Sequence, residues 1–188
     1  MTEPKPLRAD ARRNRARVLD AAETVFAARG TGAPTEEVAR EAGVGIGTVF
    51  RHFPTKAALL EAVLAERMRR FVEEAQSFAA AEDPESAFFV FLGRWAEMSA
   101  AKNAYTDALA AAGADVPRLG PEIGAQVREA VGALLSRAQL TGAVREDVGV
   151  TELIALMVGA ARAAEYLGED AALRARTLGI VFDGLRAR

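Results

Sequence analysis

The stretch Pro34–Phe53, PTEEVAREAGVGIGTVFRHF, followed at once by Pro54-Thr55-Lys56, constrains this chain more than any other part of it. It reads as two short helices joined by a tight glycine turn. Thr35 stands as the N-cap of the first, with Glu36 and Glu37 in its positive first turn. Val38, Ala39 and Ala42 face inward, and Gly43 ends the helix because so sharp a turn needs φ > 0. A second helix starts near Gly45, with Val49 and Phe53 inward at i, i+4 and Thr48, Arg51 and His52 outward. Ala39 lies where the two must cross, and only a small side chain permits that approach. A second helix this short and this exposed does not exist for packing alone. The geometry is that of a helix-turn-helix, whose second helix enters the major groove of DNA.

The rest of the chain reads as helix. A first helix runs from about Asp10 to Arg29 and ends at Gly30, after a loose tail over residues 1–8. Beyond the motif, Pro54 stops the recognition helix and Thr55 caps a fourth helix reaching to about Ala81. A fifth is expected over 85–101, a sixth over 103–112, a seventh over 122–140, an eighth over 151–167 and a ninth over 170–186. No stretch sustains period-two alternation, so the fold class is all-α with about nine helices. Residues 1–54 form a basic tail and a three-helix DNA-binding head, and 55–188 a second helical domain.

The 188 residues carry a net charge of −2, which suits a DNA binder only when it is split. Residues 1–56 hold ten Lys/Arg against seven Asp/Glu, and residues 57–188 hold fourteen against nineteen. The positive end is sharpest at Lys5, Arg8, Arg12, Arg13, Arg15 and Arg17. Such a cluster is either a solvated helix face or a phosphate-contacting one, and an adjoining helix-turn-helix favours the second.

The string AGVGIGTVFRHFPTKAALL resembles the DNA-binding signature of the tetracycline-repressor (TetR) family of bacterial regulators, over roughly residues 10–65. In that family an AGV turn precedes a recognition helix ending in aromatic-x-His-Phe, then Pro/Lys, Ser/Thr, Lys and a long helix. Two departures stand out. Phe50 replaces the usual Tyr, removing a hydroxyl suited to a phosphate, and Gly45 replaces Ser or Thr. The resemblance implies a homodimer bound to a near-palindromic double-stranded operator. It also implies a small-molecule effector, held among the C-terminal helices, that alters the spacing of the two DNA-reading heads.

On the recognition helix, Thr48 and Arg51 are the base-reading candidates, since Arg pairs two-pronged with guanine and the Thr methyl meets a thymine methyl. A salt bridge is the alternative for Arg51. Gly45, Ile46 and Gly47 keep the helix entrance slim, and Phe50 shares the exposed segment. His52, the single histidine, lacks partners for a metal and suits a phosphate contact or a packed helix end. Lys56 sits in the first turn of a helix, where a cation opposes the dipole by roughly 0.3–1 kcal/mol. A phosphate over that terminus removes the penalty; an indifferent surface lysine is the alternative. Thr35 and Arg13 complete the expected DNA contacts.

For the effector, Phe91, Trp95, Met98, Tyr105, Met157 and Tyr166 are candidate lining, with Arg94, Arg162 and Glu165 as unusual charges on apolar helices. Each aromatic also suits an ordinary core, and the set points to a largely apolar ligand. Gly159, Ala160 and Ala163 let two helix axes come close, and Leu178, Phe182 and Leu185 form a stripe at i, i+4, i+7. In the family the last two helices pair with their copies in a second subunit, although these residues fit packing within one chain equally well.

The function classes excluded are as informative. With no cysteine and one histidine, neither disulfide nor thiolate metal site is available, and no catalytic site, cofactor or metal is expected. Gly43-x-Gly45-x-Gly47 misses the dinucleotide-loop spacing and follows no strand. The longest uncharged apolar run, Leu153–Ala161, falls far short of the ~20 residues of a bilayer helix. A cytoplasmic transcriptional repressor is therefore expected, the alternative being a helical small-molecule-binding protein with a non-functional DNA head.

Overall fold

The computed structural model of the protein describes residues 5–113, 121–168 and 170–187. The described residues form eight helices and no strand: α1 (Lys5–Arg29), α2 (Thr35–Glu41), α3 (Ile46–His52), α4 (Lys56–Ala79), α5 (Pro84–Ala111), α6 (Pro121–Leu140), α7 (Val150–Tyr166) and α8 (Ala171–Leu185). The fold is all-α. Eight replaces nine because the break expected near residue 102 does not occur, and α5 runs through it. Ala101-Lys102-Asn103 contains neither Gly nor Pro, so nothing local interrupts the helix. Asn103 is buried in mid-helix and donates its amide to Glu165 rather than capping a new helix. The first helix also begins earlier than expected, at Lys5.

The chain divides into two compact units. One comprises residues up to Glu66 with those of α5 from Ala104, and the other Arg67–Asn103 with α6, α7 and α8. In the first, Val18, Leu19, Ala22, Val25 and Phe26 of α1 are buried, as are Val38, Ala39, Val49 and Phe53 of the motif. Two glycines make the turns between these helices. Gly30 at φ 76° follows α1 and Gly43 at φ 63° follows α2, a backbone that L side chains rarely adopt. Thr55 caps α4 through its hydroxyl, which accepts from the Ala58 amide at 3.0 Å.

In the second unit, Phe71, Phe88, Phe91, Leu92, Trp95, Val131, Leu134, Leu153 and Met157 share one core. The indole of Trp95 meets Phe71 edge-on at 5.1 Å and lies 6.0 Å from Phe91. Helix α5 is not enclosed on every side, since Val90 is exposed. Asp170 caps α8 by accepting from the Leu173 amide at 2.9 Å. The turn before α7 is tied to the chain end by Arg145 N–H to Leu185 C=O (3.0 Å) and Ala187 N–H to Ala143 C=O (3.3 Å).

Candidate functional site

The recognition helix α3 is seven residues long, and Val49 is its one buried side chain. Gly45 is its N-cap, with extended backbone and no side-chain cap bond. A Cβ at Gly45 or Gly47 would meet nothing within 4 Å, so neither glycine is there to fit a neighbouring helix. Ile46 and Phe50, at i, i+4, expose 36% and 42% of their surface, and Arg51 beside them is exposed. Thr48 and His52 are half-buried. The outward face is therefore two large apolar side chains and a guanidinium over a glycine-slimmed entrance. Water is a poor partner for that combination, whereas thymine methyls and guanine edges suit it.

Several basic residues expected at phosphates have partners within the protein. Arg17 donates from Nη2 to the Ala42 carbonyl at 2.6 Å and lies 3.5 Å from that of Gly43. It thus caps the C-terminal end of α2, where unpaired carbonyls carry partial negative charge. Arg15 lies 5.2 Å above the Phe53 ring, and Arg13 pairs with Asp10. Lys56 donates to the Gly32 carbonyl at 2.8 Å and sits 6.0 Å from the Phe26 ring centre. Long cationic side chains bond locally wherever orphan carbonyls are close, and sequence spacing does not reveal that. Thr35 is not the N-cap either. Pro34 holds that position, and Thr35 begins the helix at 7% exposure. A motif charge pair joins the set, Arg29 Nη1 to Glu37 Oε2 at 2.9 Å.

The second unit contains a cavity of about 540 Å³ between α5, α7 and α8. Gly93, Ala96 and Glu97 line it from α5, and Ala160, Ala164 and Glu165 from α7. Ala171, Arg174, Ala175 and Leu178 close the α8 side. Of the residues expected to line a ligand site, Glu165 lines this cavity and the others lie elsewhere. Phe91, Trp95 and Met157 are core, Met98 packs against that core, and Tyr105 is buried with its ring edge-on to Phe26 at 6.1 Å. Arg94 pairs with Glu74, Arg162 with Glu165 at 2.9 Å, and Tyr166 is 92% exposed. Large apolar side chains fill space rather than border it, and the cavity exists where side chains are small. A search for Gly/Ala positions facing one another across helices was the signal that could have found it.

Of the residues expected at a subunit interface, Leu185 is enclosed in its own chain and Phe182 packs on Phe89 at 5.6 Å. Ala160 and Leu178 line the cavity, while Gly159 and Ala163 are exposed. They join Leu156 and Tyr166 in an exposed stripe of α7, and Ile180 of α8 is 72% exposed. Among the described residues no helix is long and apolar enough to cross a membrane.

Comparison with known proteins places this geometry. Residues 18–63 match the family described as bacterial regulatory proteins, tetR family, and residues 83–187 match the transcriptional regulator SbtR-like C-terminal domain. Sixty residues are 47% identical to the HTH-type transcriptional regulator TtgW of Pseudomonas putida, 31% of this chain and 45% of that one. The chain thus spans less than half the length of that curated relative. A TetR transcription regulatory protein from Mycobacterium vanbaalenii is 44% identical over 97% of this chain and all of its own, with a TM-score of 0.76. The TetR transcriptional regulator SCO0520 from Streptomyces coelicolor is 32% identical over 92% of this chain and 98% of its own, with a TM-score of 0.74. A glycine-turned helix pair with an exposed reading face, joined to a matching helical C-terminal domain, makes this chain a member of the TetR family of bacterial transcriptional regulators.

Proposed function

We propose that the protein is a cytoplasmic repressor that binds a near-palindromic operator as a homodimer and is released by a small, largely apolar ligand. Residues 1–54 bind DNA, and residues 55–188 bind the effector and the second subunit. The observation that carries the reading is the outward face of α3, where Ile46, Phe50 and Arg51 stand exposed with Val49 alone buried beneath. Such a face leaves over a third of each apolar side chain in water beside an exposed guanidinium, and it fits a major groove. Arg51 and Thr48 read bases, Ile46 and Phe50 meet thymine methyls, and His52 and Lys56 approach phosphates. An ammonium has three donors, so Lys56 keeps two for DNA after bonding Gly32. Dimerisation uses the exposed α7 stripe of Leu156, Gly159, Ala163 and Tyr166 with Ile180 of α8.

Gel-shift titration on genomic fragments, at two salt concentrations, tests the reading. The expected result is a pseudo-palindromic site with half-sites near multiples of about 34 Å and affinity falling steeply with salt. No binding on any fragment, or binding insensitive to salt, overturns it.

A further inference from the structure

We propose that the cavity between α5, α7 and α8 takes an amphiphilic amine, with an apolar body against the small residues and a protonated nitrogen against Glu97. The assignment deepens the effector-controlled reading above and rests on it for its biological role, though not for the binding itself. Helices as rich in Gly and Ala as these facing surfaces ordinarily close on one another. Here they are held apart at two points. Phe89 of α5 stacks on Phe182 of α8 at 5.6 Å, and Asn103, further along α5, donates to Glu165 of α7. The intervening stretch of α5 carries Gly93 and Ala96, and the gap opposite it is the cavity. A Cβ at Gly93 would meet nothing within 4 Å, so that glycine serves neither a turn nor a close helix contact. Glycine inside a helix costs about 1 kcal/mol relative to alanine; at this position it preserves space.

The charged lining distinguishes among ligands. The carboxylate of Glu165 is occupied by the Asn103 amide and by Arg162 Nη1 at 2.9 Å. Arg174 turns its Nη1 to the Gly168 carbonyl at 2.9 Å. Glu97 has no hydrogen-bond or ion-pair partner among the described residues, and it lines the cavity. An entering molecule therefore meets two carboxylates, that of Glu97 open, against the single guanidinium of Arg174, which keeps its charge while one N–H bonds backbone. That arrangement selects a cationic head over a neutral or anionic one, and the alanine-lined walls select an apolar body.

Isothermal titration of the full chain with decan-1-amine, decan-1-ol and decanoate at neutral pH, all below micelle-forming concentrations, separates head group from chain. The amine is expected to bind at least about fivefold tighter than either other probe. Glu97→Gln, on an exposed position that leaves the melting temperature unchanged, should remove that preference while keeping the affinity for the alcohol. Gly93→Leu should weaken all three. Equal affinities, tightest binding by decanoate, no binding of the amine, or a preference that survives Glu97→Gln each overturn the assignment. Operator release is read separately by gel shift. An amine that binds with the stated selectivity and leaves DNA bound supports the site while removing the effector reading.

Discussion

Lys56, in the first turn of α4, donates to the carbonyl of Gly32 at 2.8 Å and so ties the start of α4 to the loop between α1 and α2. The bond gives a cation at a helix N-terminus a local negative partner, offsetting its poor position in the dipole. On the proposed DNA-binding mode, one side chain then serves as a structural tie and as a charge near DNA. Lys56→Ala is expected to weaken all DNA sequences about equally and to reduce the salt slope by about 0.9. It should also lower stability by about 1 kcal/mol as the bond is lost. Arg51→Ala, by contrast, should cost about 1–3 kcal/mol on the operator and relax preference at one base pair per half-site. Binding isotherms on operator and scrambled DNA at several salt concentrations distinguish the two. Equal loss of specificity from both variants would refute these roles.

Arg17 and Gly43 form a second coupled pair. The Arg17 Nη2 would lie 3.2 Å from a Cβ built on Gly43, whose φ is +63°. Gly43→Ala therefore meets both backbone strain and a crowded guanidinium, and should destabilise the chain by about 1–2 kcal/mol. Arg17→Ala should lower stability by about 1 kcal/mol through the lost α2 cap and weaken operator binding by displacing α3. Because Arg17 bonds carbonyls rather than phosphates, its salt slope should match that of the wild type. A slope reduced by about one contact would make it a phosphate ligand.

Phe50 exposes 42% of its surface on the reading face. Phe50→Ala should leave thermal stability within about 0.5 kcal/mol, as for other surface changes, while weakening the operator complex. Phe50→Tyr should tighten binding without altering sequence preference, by supplying a hydroxyl for a phosphate. Melting curves and gel shifts on the same preparations check both. A large loss of stability in Phe50→Ala would place the ring in the core.

Leu156 lies on the exposed stripe of α7, and Phe91 lies in the core of the same unit at 1% exposure. Leu156→Glu should leave the monomer folded and shift sedimentation from dimer to monomer at micromolar concentration. Phe91→Ala should instead cost about 3–5 kcal/mol of stability through the cavity it leaves. A dimer that survives Leu156→Glu, Gly159→Glu and Ile180→Glu together would locate the subunit contact on another face.

What the sequence determined by itself was local. The glycine at 43, the inward series Val38, Ala39, Ala42, Val49 and Phe53, and the cap at Thr55 depend on residues a few positions apart. Backbone sterics and helical periodicity act over that range, so the motif and the all-α class were legible. The same local reasoning misplaced a helix break near 102, since Asn103 is held in mid-helix by Glu165, far along the chain. It also reads Thr35 as a cap and places Arg17 in a basic cluster turned to phosphate, because the neighbours that decide their roles, Pro34's backbone geometry and the carbonyl of Ala42, are not visible in residue type. Only the tertiary structure separated filled space from empty space. Phe91, Trp95 and Met157 are apolar enough for either, and packing made them core. The cavity fell instead to Gly93, Ala96, Ala160 and Ala164, whose smallness matters only once contacts from Phe89 and Asn103 hold the helices apart.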